Sequence, residues 1–206
     1  MLININFINK VMNTKFILAS SSKSRYKILK DTGFVFKKIS PRINEEKIKY
    51  KIKKKYKPQK IAKILSYEKA KSISVLKKYS DCTVIGCDTL IYIRNKIFDK
   101  AKNISEAKKK LINLSGREHN IVSGVTVFKN GKKIIQFSQT TKVKIKKLNS
   151  KQIQNYLKKT GKQILNSVGC YQVENLGPII IEEIKGDFFN VMGLPLFKLF
   201  KYLSNN

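Results

Sequence analysis

Tryptophan is absent from this chain, and histidine occurs once, as His119. With one imidazole and three cysteines at uneven spacing (Cys82, Cys87, Cys170), the sequence is too poor in ligands for a Cys/His zinc site. The odd cysteine count also argues against a secreted disulfide framework and fits a reducing cytoplasm. No stretch approaches the ~20 apolar residues of a membrane helix. The N-terminal "MLININFINKVMNTKFILAS" lacks the basic stretch and long apolar run of a signal peptide. A soluble cytoplasmic protein without a membrane partner is therefore expected. Met12 offers a second start, and residues 1–14 read as an N-terminal extension to a single domain over 15–206.

Acidic residues are also scarce, 13 against 44 basic ones, for a formal charge of +31. Such an excess attracts polyanions. Yet only four of the basic residues are arginines (Arg25, Arg42, Arg94, Arg117), whereas phosphate and base-edge recognition favours the bidentate guanidinium. Lys, Ile and Asn are all abundant, the pattern of a genome-wide bias. Nucleic acid is thus not the expected partner, and the densest basic run, "KIKYKIKKKYKPQK" (47–60), reads as a solvated helix or loop.

Several nucleotide and hydrolase signatures are missing. There is no G-x-x-x-x-G-K-[ST] loop and no G-x-G-x-x-G, and no G-x-S-x-G elbow accompanies His119, which reads as structural.

What is present is a chain of 206 residues, 42% hydrophobic, long enough for a substantial core. Phe16–Ala19 reads as a short buried strand, followed by a Ser-rich turn and a helix ending at Gly33. "FVFKKIS" (34–40) alternates like a strand, Pro58 opens a helix, and "CTVIGCDTLIYI" (82–93) reads as a buried strand. A capped helix ends at Gly116, strands follow with a hairpin at Asn130-Gly131, and residues 150–160 form a further helix. "YQVENLGPIIIEEIKGD" (171–187) reads as a strand pair and "LPLFKLFKYL" (194–203) as an amphipathic helix. Alternating strands and helices predict an α/β fold with a mixed sheet.

One residue breaks the apolar pattern. Asp88 stands at the end of the strand-like run in "VIGCDTLI", where strands avoid aspartate. With Ser20, Ser22 and Arg25 at a strand-to-helix turn, Glu45 in a polar loop, Lys69 on a helix, Thr89, and Asp99-Lys100 in the next turn, it forms a dispersed set. Carboxylates with lysines and an arginine suit a metal-dependent phosphoryl site.

"LASSSKSRYKIL" (18–29), "INEE" (43–46), "LSYEKA" (65–70), "GCDTL" (86–90), "DK" (99–100), "LSGREHNIVSGV" (114–125) and "GDFFNVMGLPL" (186–196) together resemble the ordered motifs of the Maf family of nucleoside triphosphate pyrophosphatases. The resemblance runs from Phe16 to Leu203. It implies a Maf/ITPase-like fold, a mixed twisted sheet with flanking helices and a nucleotide cleft between two lobes. It implies hydrolysis of (d)NTP, modified or non-canonical nucleotides among them, to (d)NMP and pyrophosphate. In that reading Asp88 is the catalytic acid-base residue, and Ser20, Arg25, Lys69 and Lys100 contact the triphosphate. Glu45 and Asp88 hold a divalent cation, Mg²⁺ or Mn²⁺.

Departures from the family pattern bear on substrate choice. Ser24 replaces the first Arg of an Arg pair, Asn44 an Asp, and Ala101 a Pro, and Ser167 stands at a frequent Lys position. Thr89 agrees with the dTTP/UTP-preferring branch, whereas Glu174 with Tyr171 resembles the 7-methyl-GTP branch. Ser24, Thr89 and Glu174 are therefore the expected specificity positions, with a mixed code. The family also implies a homodimer. The alternative reading is an interaction protein that restrains cell division and binds nucleotide without turnover.

Overall fold

The computed structural model describes residues 14–204, so Met12 and nearly all of the expected N-terminal extension lie outside the described residues. β1 (Phe16–Ala19) leads through Ser20–Ser22 into α1 (Lys23–Asp31), where Ser22 Oγ accepts the Arg25 N–H as N-cap. β2 (Phe36–Ile39) follows, then α2 (Glu45–Ile52), capped by Asn44, and α3 (Pro58–Ser74), with Pro58 in its first turn. β3 (Thr83–Ile93) and β4 (Lys96–Phe98) precede α4 (Ile104–Leu114). β5 (Glu118–Lys129) and β6 (Lys132–Ile145) form a long hairpin, turned at Asn130 and Gly131 with φ of 50° and 72°. α5 (Ser150–Thr160), α6 (Gly177–Ile180), β7 (Ile181–Lys185), α7 (Phe188–Met192) and α8 (Leu196–Ser204) complete the chain. No helix among the described residues is long and apolar enough to cross a membrane.

Seven strands make one mixed sheet in the order β2-β1-β3-β5-β6-β7, with β4 pairing to β3. The α/β expectation is met. β1 runs parallel to β2 and β3, while the later strands are antiparallel. Two apolar clusters share one face of the sheet. One, around Leu18, Ile28, Phe137 and Leu199, lies under α1 and α8. The other, around Leu111, Ile121, Val143 and Ile153, lies under α4 and α5. β3 passes from the first cluster at Ile85 and Cys87 to the second at Ile91, so Asp88 and Thr89 fall at the junction.

The edge of β3 is also interrupted there. β1 pairs with it only as far as Gly86, and β4 resumes at Ile91. Residues 87–90 therefore lack a strand neighbour on that side, while β5 covers the other. Strand ends next to such a break leave a crevice for a ligand, the arrangement common in open α/β sheets.

Helix α3 closes the opposite face at unusually short range. A Cβ built on Gly86 would stand 2.3 Å from the Ser66 carbonyl oxygen, and one on Gly124 would stand 2.3 Å from the Ala62 carbonyl. Only glycine admits the helix backbone at this distance. Ile61, Leu65, Leu90 and Val122 then pack as a cluster between helix and sheet.

Three expectations require correction. Glu45 is not in a loop but opens α2, whose first turn Asn44 caps. Asp88 is not at a strand end: β3 continues to Ile93, and Leu90–Tyr92 stay paired with β5. Residues 171–187 form a turn, the short α6 and the single strand β7, not a strand pair. Pro178 explains this, since it has no N–H for a ladder but suits the first turn of a helix.

Candidate functional site

Residues alternate across a strand, so Asp88 and Thr89 point to opposite faces of β3. Gly86, Asp88 and Leu90 face α3. There the Lys69 ammonium, 6% exposed, stands 2.7 Å from Asp88 Oδ1 and 2.8 Å from Glu45 Oε2. The glycines beneath α3 bring the lysine this close. Glu45 reaches the pair from the first turn of α2 and remains half exposed. Asp88 is almost completely buried, and its Oδ2 has no hydrogen-bond partner among the described residues. A buried carboxylate oxygen without a partner is costly, and marks a position where a ligand or water belongs.

On the other face Arg25 is fixed by three donors. Its Nε donates to the Gly193 carbonyl at 2.8 Å, Nη1 to Ser20 Oγ at 3.3 Å, and Nη2 to Thr89 Oγ1 at 2.8 Å. Thr89 Oγ1 also lies 2.8 Å from Ser123 Oγ, its register partner on β5. The Cys87 thiol shares the Gly193 carbonyl at 3.0 Å, and burial pushes its pKa up, as befits an inert packed thiol.

Ser24 and Glu174 are 150 residues apart in sequence and meet directly, Ser24 Oγ donating to Glu174 Oε1 at 3.0 Å. Lys100 follows β4 and stays exposed at the surface. The protein packed around it, and then the charge of Arg25, lower its pKa below the usual lysine value, against the pull of Glu45 and Asp88. Those neighbours place Lys100 within electrostatic reach of both halves of the site.

The nine expected site residues thus gather around the break in the sheet. They form two bonded groups and a pair: Glu45, Lys69 and Asp88 on one face; Ser20, Arg25 and Thr89 on the other; Ser24 with Glu174. Lys100 has no hydrogen bond to any of them. Gly193 and Ser123 carry contacts that the sequence reading did not assign. Both lie in motifs quoted above, but their partners are 34 to 168 residues away and no spacing signals them.

Asn190 also sits in such a motif, and its role is architectural. Its buried amide donates to the Ile121 carbonyl at 3.2 Å and to Thr141 Oγ1 at 3.0 Å. That anchors α7 and hence the Gly193 carbonyl under Arg25. His119 is architectural too, as expected. It is 1% exposed, its Nε2 lies 2.6 Å from the Tyr171 hydroxyl, and burial lowers its pKa to about 4.

Two carboxylates are the acidic ligands on offer, since no group of three His, Cys, Asp or Glu side chains that could hold a metal occurs among the described residues. Mg²⁺ accepts such a sparse set, because it retains waters and takes substrate phosphate oxygens. Asp88 and Glu45, brought together on one lysine, therefore suit a hard cation that arrives with its nucleotide.

The chain resembles known proteins over almost its whole length. A 7-methyl-GTP pyrophosphatase of Bartonella quintana is 38% identical over 92% of this chain and 94% of its own length. A nucleoside triphosphate pyrophosphatase of Caulobacter vibrioides is 32% identical over 92% and 94%. A dTTP/UTP pyrophosphatase of Thermosipho melanesiensis is 37% identical over 91% and 95%. The family described as Maf-like protein matches residues 15–206, and this chain belongs to the Maf-like protein family.

Proposed function

We propose that this chain is a nucleoside triphosphate pyrophosphatase that uses Mg²⁺ or Mn²⁺ to cleave the α–β phosphoanhydride, with Asp88 as its base. The observation that carries the roles is the Asp88 carboxylate, held through Oδ1 by Lys69 while Oδ2 is buried and unpartnered. Oδ2 is the atom placed to take the proton from an attacking water. The water oxygen forms the new bond to phosphorus as the bridging P–O bond breaks, and pyrophosphate leaves with the electron pair.

Glu45 and Asp88 would hold the divalent ion, which supplies charge neutralisation across the phosphates. Lys69 keeps both carboxylates oriented and contributes a cation at the same point. Arg25 has spent three donors on the protein, which leaves two N–H groups for phosphate oxygens beside Ser20. Lys100, unpaired with any carboxylate among the described residues, is the cation free to meet charge on the departing pyrophosphate.

Ser24, Thr89 and Glu174 would choose the base. Glu174 is half-buried and offers a carboxylate oxygen to base N–H donors or to a cationic base, with Ser24 holding its other side. The three buried free cysteines support residence in a reducing cytoplasm. A homodimer belongs to the same proposal, with the exposed rings of Phe188 and Phe197 as available apolar surface.

Pyrophosphate release from dTTP, UTP, 7-methyl-GTP and the other standard NTPs, with each metal, tests the reading against Asp88→Asn. Turnover by the wild type and none by the variant is expected. Nucleotide binding without turnover by either would overturn it in favour of a nucleotide-binding interaction protein.

A further inference from the structure

Lys110 lies on the buried face of α4, 9% exposed, and makes no ion pair among the described residues. A buried ammonium without a carboxylate is costly unless it is fully used for hydrogen bonding. Lys110 Nζ donates to two main-chain carbonyls, Asp99 and, at 2.9 Å, Val168. Desolvation lowers its pKa, the cost of keeping it there. An apolar residue at this helix position would pack against Ala107, Leu111 and Leu114 without that penalty, so the ammonium calls for an explanation.

The two carbonyls belong to different parts of the site. Asp99 directly precedes Lys100, in the segment between β4 and α4 that carries no regular hydrogen-bonded structure of its own. Val168 lies in the turn that leads to Tyr171 and then to Glu174, and Ser167 Oγ donates to the Tyr171 carbonyl there at 2.5 Å. One ammonium thus clamps the segment bearing the triphosphate lysine to the turn bearing the base-side glutamate.

We propose that Lys110 is a positioning residue: by tying the Asp99 carbonyl to the Val168 carbonyl, it fixes Lys100 at the distance from the base-side turn that a bound nucleotide requires. This rests on the assignment of Lys100 to the triphosphate. In this role Lys110 acts through Lys100.

A double-mutant cycle reads that coupling directly. Lys110→Met lowers kcat/KM about tenfold in the wild-type background and less than about twofold in a Lys100→Ala background, because there is no cation left to misplace. Lys110→Arg, which keeps charge and donors, recovers most of the activity. Lys110→Gln is run through the same cycle with thermal melts, so that a poorly folded Met variant leaves the answer intact. Equal losses in both backgrounds would make Lys110 a purely structural residue and overturn the inference. Activity unchanged by Lys110→Met and Lys110→Gln would do the same. A silent Lys100→Ala would instead remove the triphosphate role of Lys100, and the inference would fall with it.

Discussion

Lys69 Nζ stands 2.7 Å from Asp88 Oδ1 in a setting where both side chains are less than a tenth exposed. Glu45 supplies the second anion, so the cation lies between two carboxylates instead of facing one. A buried pair of this kind adds little net stability compared with an apolar pair, but losing one member leaves a charge stranded. Its value here is orientation. One Asp88 oxygen is occupied by the lysine, and the other has no partner among the described residues, as the proposed base requires.

Asp88→Asn should abolish that chemistry while preserving shape. The amide fills the same volume but has no basic oxygen, so kcat should fall about 10³-fold or more. Pyrophosphate release measured beside a thermal melt checks this, since a folded but inactive variant is the expected result.

Gly124→Ala tests whether the close seat of α3 sets the site. The added Cβ meets the Ala62 backbone at 2.3 Å, which cannot relax without moving the helix. Urea denaturation should show a loss of about 2 kcal/mol or more, and activity should drop because Lys69 travels with α3.

Removal of metal should stop turnover, and Mg²⁺ or Mn²⁺ should restore it. Glu45→Gln leaves Asp88 as the lone acidic ligand, so the metal concentration for half-maximal activity should rise roughly tenfold or more. Metal titration after chelator treatment gives both numbers.

Glu174→Gln should alter preference more than rate. The charged oxygen next to Ser24 is replaced by an amide, which weakens acceptance of base N–H donors. The kcat/KM ratio of 7-methyl-GTP to dTTP should fall by about tenfold, read from paired assays.

Acid stability should depend on His119. Its folded pKa of about 4 lies below the usual 6.5, so the unfolded chain takes up the proton first. The stabilisation is complete above pH 6.5 and is lost as pH falls towards 4, about 3 kcal/mol in all. Denaturant titrations of the wild type and His119→Gln should differ in slope across that window and run parallel above it.

Much of the fold was legible from local chemistry. Pro58 in the first turn of α3, the Asn130-Gly131 hairpin and the apolar run of β3 each follow from constraints that act within a few residues. Residue chemistry brought seven of the nine candidate residues to notice, the family resemblance added Ser24 and Glu174, and all of them lie around one break in the sheet. The errors arose where pairing is remote. Whether β3 stops at Asp88 depends on β5 and β4, and whether 171–187 forms two strands depends on whether β6 has a second partner for it.

By itself, then, the sequence determined the α/β alternation, the caps and turns, and which residue types are present for phosphoryl chemistry, because these depend on backbone preferences and side-chain identity. Only the tertiary structure decided that Asp88 and Thr89 serve opposite faces, that Arg25 is locked by Gly193, Ser20 and Thr89, and that Lys110 clamps the Lys100 segment. Those relations need contacts between residues from 5 to 168 positions apart, and the distances are set by how closely α3 and α7 pack on the sheet.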